Sequence, residues 1–344
     1  MSRLAVVLFN LGGPDSLESV RPFLFNLFHD PAIIGVPQPI RWMLAQFISR
    51  RRERTAQQIY SYIGGKSPLL ELTQQQALAL KSNLKGTAES VEVFVCMRYW
   101  NPMARAVTEA VKTYDPDKIV LLPLYPQYST TTVSSSLADW KRAAKKSKLS
   151  APTYTICCYP RETGWVSAQA DLVLRSVERA ESNTRILFSA HGLPLKVVQA
   201  GDPYQWQVEQ TAIAIIEKMG GHSDWTVCYQ SRVGPLEWIG PSTEEELERA
   251  ANDGVGVTVV PIAFVSEHSE TLVELDIEYK ELAKELGIVR YCRVPALGIH
   301  PTFIDGLGKL VRRASCQDEQ GSYGGADGSR ICPKGFRKCP KVFD

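Results

Sequence analysis

Apolar residues recur along this chain in two rhythms, short unbroken runs and longer stretches with the three-and-four spacing of a helix, and the two alternate almost from end to end. Unbroken runs at 3–10, 91–97, 118–125, 153–159, 185–190, 225–230, 255–263 and 289–294 predict strands. Helical spacing covers 17–28, 40–62, 68–85, 103–114, 133–145, 165–180, 204–219, 243–251, 264–280 and 301–313. That order predicts an α/β protein built on parallel sheets. Two series begin alike, with an apolar run leading into Asn10-Leu-Gly-Gly-Pro14 in one and into Ser189-Ala-His-Gly-Leu-Pro194 in the other. We therefore expect two similar halves, 1–165 and 166–300, with a cleft at their strand ends. Residues 301–344 add a last helix and a tail rich in glycine and charge.

One helical stretch is unusual in its charge. Residues 264–280 read FVSEHSETLVELDIEYK, and on an α-helix Glu270, Glu274 and Glu278 fall on one side. Like charges four residues apart destabilise a helix by about 0.2–0.5 kcal/mol per pair. The ladder is therefore either the solvated face of an amphipathic helix or a concentration of negative charge with a use, such as holding a divalent cation. Its start at a strand end, with Glu267 and His268 just ahead of Glu270, favours the second. A second imidazole, His191, also ends a strand, ahead of Gly192-Leu-Pro194.

Composition narrows the partners. The 344 residues are 44% apolar and 22% charged with a net charge of +2, an ordinary globular balance with no broad basic field, which argues against nucleic acid. No apolar run approaches the ~20 residues of a membrane span, and the first run is too short for a signal peptide, so a cytoplasmic location is expected. Gly65-Lys66-Ser67 lacks the glycine that a phosphate loop needs at position 60, where Tyr60 stands. Phe23, Phe25, Phe28, Trp42, Met43 and Phe47, followed by Arg50, Arg51, Arg52 and Arg54, suit the wall of an apolar ligand pocket. The same segment is either an ordinary packed helix or a peripheral contact with the inner face of a membrane. Cys96, Cys157, Cys228 and Cys292 lie in apolar runs as small hydrophobes, whereas Cys316, Cys332 and Cys339 sit in the polar tail, where thiols point to metal or redox chemistry.

Several longer motifs carry a family resemblance. FSAHGLP at 188–194, GDPY at 201–204, YQSRVGPLEWIGP at 229–241 and FVSEHSETLVELD at 264–276, with NLGGP at 10–14 and LYPQY at 124–128, closely resemble ferrochelatase, in order from about residue 4 to 310. The resemblance implies two Rossmann-like halves clamping a porphyrin and insertion of Fe²⁺ into protoporphyrin IX. It makes His191 and Glu270 the catalytic pair at the iron site and adds Glu267, His268, Glu274 and Glu278 as metal-binding residues. It puts Leu11, Arg98, Tyr99 and Trp238 at the porphyrin. Some members carry a [2Fe–2S] cluster on cysteines. Here Cys316, Cys332 and Cys339 would take a fourth ligand from the body, Cys158 rather than Cys157, because neighbours on a strand point oppositely. A zinc site or unligated thiols are the alternatives for the tail.

The chemistry fits these residue types. Metallation removes two pyrrole protons and needs a base near neutrality, which a neutral His191 supplies; which of His191 and Glu270 takes the protons stays open. Carboxylates hold hard divalent ions without retaining them as thiolates would. A porphyrin carrier without activity, or a chelatase for cobalt or nickel, is the competing reading. Oligomeric state is not legible in the sequence.

Overall fold

The computed structural model describes residues 2–179, 184–232, 234–317, 321–324 and 329–341. Its strands are β1 (Arg3–Asn10), β2 (Ser90–Met97), β3 (Lys118–Pro123), β4 (Thr153–Cys158), β5 (Thr184–His191), β6 (Trp225–Gln230), β7 (Gly256–Pro261), β8 (Tyr291–Arg293) and β9 (Ser322–Gly324). The α-helices are α1 (Val20–Phe28), α2 (Gln38–Ser61), α3 (Leu69–Asn83), α4 (Ala104–Tyr114), α5 (Val133–Ser147), α6 (Thr163–Arg179), α7 (Leu195–Gln199), α8 (Tyr204–Lys218), α9 (Thr243–Asn252), α10 (Tyr279–Glu285) and α11 (Pro301–Ser315). A π-helix, Glu270–Glu278, runs directly into α10.

Contacts divide the chain into two compact units, and each has one sheet. The first comprises Met1–Tyr125, Ser129–Cys157 and Gly308–Tyr323. Its strand order is β2-β1-β3-β4-β9, with β1, β2, β3 and β4 parallel in register, Leu4 opposite Val91 and Lys118. β1 is buried from Leu4 to Asn10, which is why it reads as an unbroken apolar run instead of an alternating one. Helices cover it by burying one stripe each. In α4 the buried positions are Ala104, Val107, Thr108 and Val111, and the helix ends on Asp115 in the left-handed conformation, whose N–H caps the Val111 carbonyl. Phe9 meets Trp140 of α5 edge-on at 5.8 Å in the core below.

The second unit comprises Pro126–Tyr128, Cys158–Leu307 and Gly324–Asp344, around a four-stranded parallel sheet of order β6-β5-β7-β8. Seven residues of β5 are buried before the strand surfaces at His191, which lies in register with Gln230 at the end of β6. The helix after β6 is started by a reciprocal cap: Ser242 Oγ accepts from the Glu245 N–H, and the Ser242 N–H donates to the Glu245 carboxylate. Leu187, Cys228, Val259, Leu275 and Tyr279 close the core between the sheet and the acidic segment.

The α/β architecture on parallel sheets is as expected from the apolar rhythm. The acidic stretch differs. It was expected as an α-helix, yet its turns are a residue wider, and the Tyr279 N–H reaches back five residues to the Glu274 carbonyl. Within these wider turns Glu274 is bonded to Ser231, from outside the segment, as described below. The tail also differs from a purely polar appendage, since it supplies edge strand β9 and buries Cys332 and Cys339. Among the described residues no helix is long and apolar enough to cross a membrane.

Candidate metal-binding and proton-transfer site

Three chain segments of the second unit meet at the carboxyl ends of its central strands, where open parallel sheets present their loops. β5 supplies His191, β6 supplies Gln230 and Ser231, and the loop after β7 leads through His268 into the π-helix with Glu270 and Glu274. His191 Nδ1 lies 2.8 Å from Glu270 Oε2, and His268 Nε2 lies 3.9 Å from the other oxygen, Oε1. One carboxylate thus stands between two imidazoles.

Their environments drive the two imidazoles apart. Burial opposes a charge on His191, but the adjoining Glu270 carboxylate outweighs it and lifts the imidazole to about 9. His268 is more deeply buried, its ring tilted against Phe264 at 4.5 Å, and burial keeps it below its ordinary range. Burial pushes Glu270 up, and the His191 charge beside it pulls it down further, so the carboxyl is held well below the usual range. The resting pair is therefore imidazolium and carboxylate next to a neutral imidazole.

Glu274 has a different neighbourhood. Its Oε1 accepts from the Ser231 N–H at 2.8 Å and lies 3.2 Å from the Tyr279 hydroxyl, and its Oε2 accepts from Ser231 Oγ at 2.5 Å. Burial and then the nearby Glu270 charge raise it to about 7 in spite of these donors. Ser231 aims its N–H from the left-handed region, φ 60°, which a residue with a Cβ adopts only under strain. Gln230 is fully buried; Ser189 Oγ donates to its Oε1 at 2.7 Å, leaving its amide nitrogen 3.4 Å from Glu270 and 3.5 Å from Glu274.

Other expected ligands lie elsewhere. Glu267 forms an ion pair with Arg293 at 2.6 Å and accepts from the Ala296 N–H at 2.9 Å, so its charge is already compensated. The same guanidinium grips Asp276 with two further bonds. Glu278 is exposed at the junction with α10. Trp238 is half-buried, bridges Pro194 through backbone, and sets its ring against the residue after His191: a Cβ on Gly192 would be 3.2 Å from the ring and 3.0 Å from the Gln230 carbonyl. Its indole nitrogen is buried without a partner among the described residues.

In the first unit Arg98 and Tyr99 turn inward. Arg98 Nη2 lies 2.8 Å from Asp30 Oδ2, the Tyr99 hydroxyl donates to the same oxygen at 2.8 Å, and Ser135 Oγ donates to it as well. Tyr99 is only 1% exposed, so neither its ring nor its hydroxyl is an open surface there. Leu11 packs beside it against Val20, Phe23 and Tyr60. An open groove of about 430 Å³ lies along α1 and α2, lined by Arg21, Pro22, Phe25, Asn26, Gln46 and Glu53, and α2 exposes Trp42, Met43 and Phe47.

The cysteines separate. Cys158, Cys332 and Cys339 are buried in the second unit, where Gln207 Nε2 donates to Cys332 Sγ at 3.1 Å and to Cys158 Sγ at 3.5 Å. A hydrogen bond from Cys332, aided by the Lys341 N–H and the Arg330 charge, brings the Cys339 thiol down to about 6 against its burial. Cys316 is exposed just past α11, in a segment of the first unit. Among the described residues no three His, Cys, Asp or Glu side chains are disposed to hold a metal ion as they stand. At the β5–π-helix site the carboxylates are instead bonded to His191, Gln230 and Ser231.

Gln230, Ser231, Tyr279 and Arg293 were not singled out by spacing or charge. The signal for the first two was present, since Gln230 ends a strand as His191 does. Nothing local marks Ser231 as left-handed or Arg293 as the partner of two acids in another segment.

A family model described as Ferrochelatase matches residues 3–315. The chain is 54% identical to a ferrochelatase of Caulobacter vibrioides strain NA1000 over 342 residues, 98% of this chain and 97% of that one. It is 48% identical to a ferrochelatase of Rickettsia bellii strain OSU 85-389 over 340 residues, 98% and 94% of the two chains. Among solved structures, SirB from Bacillus subtilis with Fe³⁺ superposes with a TM-score of 0.53 at 13% identity, covering 92% of this chain and 96% of SirB, a likeness of fold.

Proposed function

The chain belongs to the ferrochelatase family, lyases that insert iron into a porphyrin in heme synthesis, and from that premise we propose that its porphyrin is protoporphyrin IX and its product protoheme. The observation that carries a role for this site is Glu270 between a charged and a neutral imidazole, with Glu274 one turn on. At rest the His191 imidazolium cannot accept a pyrrole proton. Fe²⁺ arriving at Glu270 and Glu274 cancels the negative field that holds that proton, so His191 releases it to solvent through its exposed edge, the side chain being 44% exposed. The freed imidazole then takes the two pyrrole protons in turn, passing the first to solvent by the same edge before it accepts the second, while the carboxylates, hard and exchangeable ligands, pass the metal on. His268, already neutral, can ligate without losing a proton first.

An anaerobic assay with Fe²⁺ and protoporphyrin IX tests this. Porphyrin fluorescence should fall by many equivalents per protein. Loss of a single equivalent identifies a carrier, and preference for cobalt or nickel identifies a different chelatase. Because Glu274, raised to about 7, must shed a proton to ligate, and His191, raised to about 9, gives up its own when the metal arrives, the metal KM should fall steeply as pH rises toward 7, more gently, roughly tenfold per pH unit, from there to about 9, and level off above that. Glu274→Gln should flatten the profile.

For the tail we propose the [2Fe–2S] cluster that the resemblance implies. Cys158, Cys332 and Cys339, buried in the second unit with the Gln207 amide aimed at two of the sulfurs, suit thiolate ligands, and Cys316 is the fourth in the set that the resemblance implies. A bound cluster would supply one-electron chemistry or a structural clip. Protein purified anaerobically should be brown with a sulfur-to-iron absorption band, and Cys316→Ser should bleach it. Colourless, iron-free protein eliminates the cluster. For location we propose a cytoplasmic enzyme with peripheral membrane contact through Trp42, Met43 and Phe47 beside the arginines at 50–54. Co-sedimentation with phosphatidylglycerol vesicles, lost at high salt, is expected; protein left in the supernatant at low salt rules it out.

A further inference from the structure

Behind the two carboxylates runs a chain of hydrogen bonds made by uncharged side chains. Ser189, Gln230, Thr243 and Cys228 are all fully buried. Ser189 lies on β5, in register with Cys228 of β6 on one side and Pro261 of β7 on the other, so its backbone is held from both flanks. Its Oγ is 2.7 Å from Gln230 Oε1 and 2.9 Å from Thr243 Oγ1, which in turn lies 3.4 Å from Cys228 Sγ. A hydroxyl has one proton to give, and an amide oxygen can only accept. Ser189 therefore donates to Gln230 and accepts from Thr243. That fixes the direction of the chain and with it the Gln230 amide, oxygen toward Ser189 and nitrogen toward the acids.

The two ends of this amide are held unequally. The bond to Ser189 is short, whereas Nε2 stands 3.4 Å from Glu270 Oε2 and 3.5 Å from Glu274 Oε2, at the long limit of bonding. Ser231 Oγ also reaches both oxygens, at 3.4 and 2.5 Å, so the two carboxylates converge on the same pair of donors. Ligand atoms that share a divalent cation, with bonds of about 2.0–2.2 Å, stand about 3.0–3.5 Å from one another. Relative to Glu270 and Glu274, Nε2 thus occupies the place of a third ligand, which its two hydrogens prevent it from being. A half-turn about the Cγ–Cδ bond would exchange the two ends and put Oε1, a hard neutral donor, in that place. Bare carboxylates favour the N–H end. A cation between them reverses the preference, and the short Ser189 bond then opposes the turn.

We propose that Ser189 is a positioning residue that acts through Gln230: by holding the amide oxygen, it keeps a third hard ligand off Fe²⁺ at Glu270 and Glu274 and so keeps the metal exchangeable. This rests on the reading of these carboxylates as the place where Fe²⁺ arrives. A site that hands its metal to a porphyrin is slowed by holding it harder, because affinity gained before transfer deepens the ground state from which transfer starts.

The test compares wild type, Ser189→Ala, Gln230→Met and the double variant in the full chain, by anaerobic calorimetry with Fe²⁺ alone and by metallation kinetics. The heat that disappears in Glu270→Gln identifies this site among any others that take the metal. Ser189→Ala should bind Fe²⁺ about tenfold tighter and turn over about tenfold slower, a size common for groups that hold the ligands of a metal. Loosened packing alone would weaken binding, so the direction separates the two causes. In the Gln230→Met background the same serine change should alter neither quantity. Binding that is unchanged or weaker in Ser189→Ala overturns the proposal, and so does equal tightening with methionine at position 230. Affinity still reads the proposal if wild type binds Fe²⁺ but metallates no porphyrin, whereas wild type without Fe²⁺ binding overturns both it and the metal reading beneath it. Should Ser189→Ala not fold, Gln230→Glu puts an oxygen at the same point and leaves Ser189 its acceptor. Tighter Fe²⁺ binding with slower turnover is then expected, and unchanged or weaker binding refutes the proposal.

Discussion

Glu270→Gln is expected to lower metal-insertion turnover by about a thousandfold, the upper end of what removing one preorganised electrostatic group costs, while porphyrin binding stays close to wild type. Glutamine keeps the shape and one acceptor of the side chain but removes the charge that holds His191 protonated. With that charge gone, burial acts on the imidazole against only the lesser pull of Glu274, so His191 in the variant gives up its proton more readily. The variant therefore retains a base and loses the site that steers Fe²⁺ to it. His191→Ala makes the converse change, and the double variant should be no worse than the poorer single one, as for residues acting as a unit. Stopped-flow metallation and equilibrium porphyrin fluorescence separate the two effects. Near-wild-type turnover in either single variant would remove these residues from the roles assigned to them.

Arg293→Met should be strongly destabilising although it lies outside the hydrophobic core. Its guanidinium is 10% exposed and holds Glu267 and Asp276 together, so methionine of similar length leaves two carboxylates facing each other without a cation. Orphaning a fully buried pair costs about 3–5 kcal/mol, and the 36% exposure of Asp276 discounts this to about 2–3 kcal/mol here. Thermal unfolding read by circular dichroism checks it. Adding Glu267→Gln to Arg293→Met should recover part of the loss, because the more buried of the two orphaned charges is then gone. A double variant less stable than Arg293→Met would show that the guanidinium acts through packing instead of charge.

The strands were legible because this fold buries its parallel strands on both faces, so β1, β5 and β7 appear as plain apolar runs. His191 and Glu270 were legible for a related reason, each lying just past such a run. Charge spacing gave less. Glu267, Glu270, Glu274 and Glu278 look alike in sequence, but their chemistry is assigned by partners from distant segments: Arg293 for the first, His191 for the second, Ser231 and Tyr279 for the third, and water for the last. Arg98 and Tyr99 illustrate the same limit, since the carboxylate they share comes from Asp30, 68 and 69 positions away. The widened turns of the acidic segment have no propensity signal at all. Glu274 within them is held by Ser231, 43 positions away, which local pattern does not contain.

The looser winding of residues 270–278 also makes the segment intolerant of changes in length. Loss of one position would let it tighten to ordinary helical turns, and each residue removed rotates the downstream side chains by about 100°. Glu274 would swing out of reach of Ser231 while Glu270 kept its place, uncoupling two groups that sequence alignment would still show as intact. Chimeras and loop grafts that borrow this stretch therefore have to preserve its residue count as strictly as its acids.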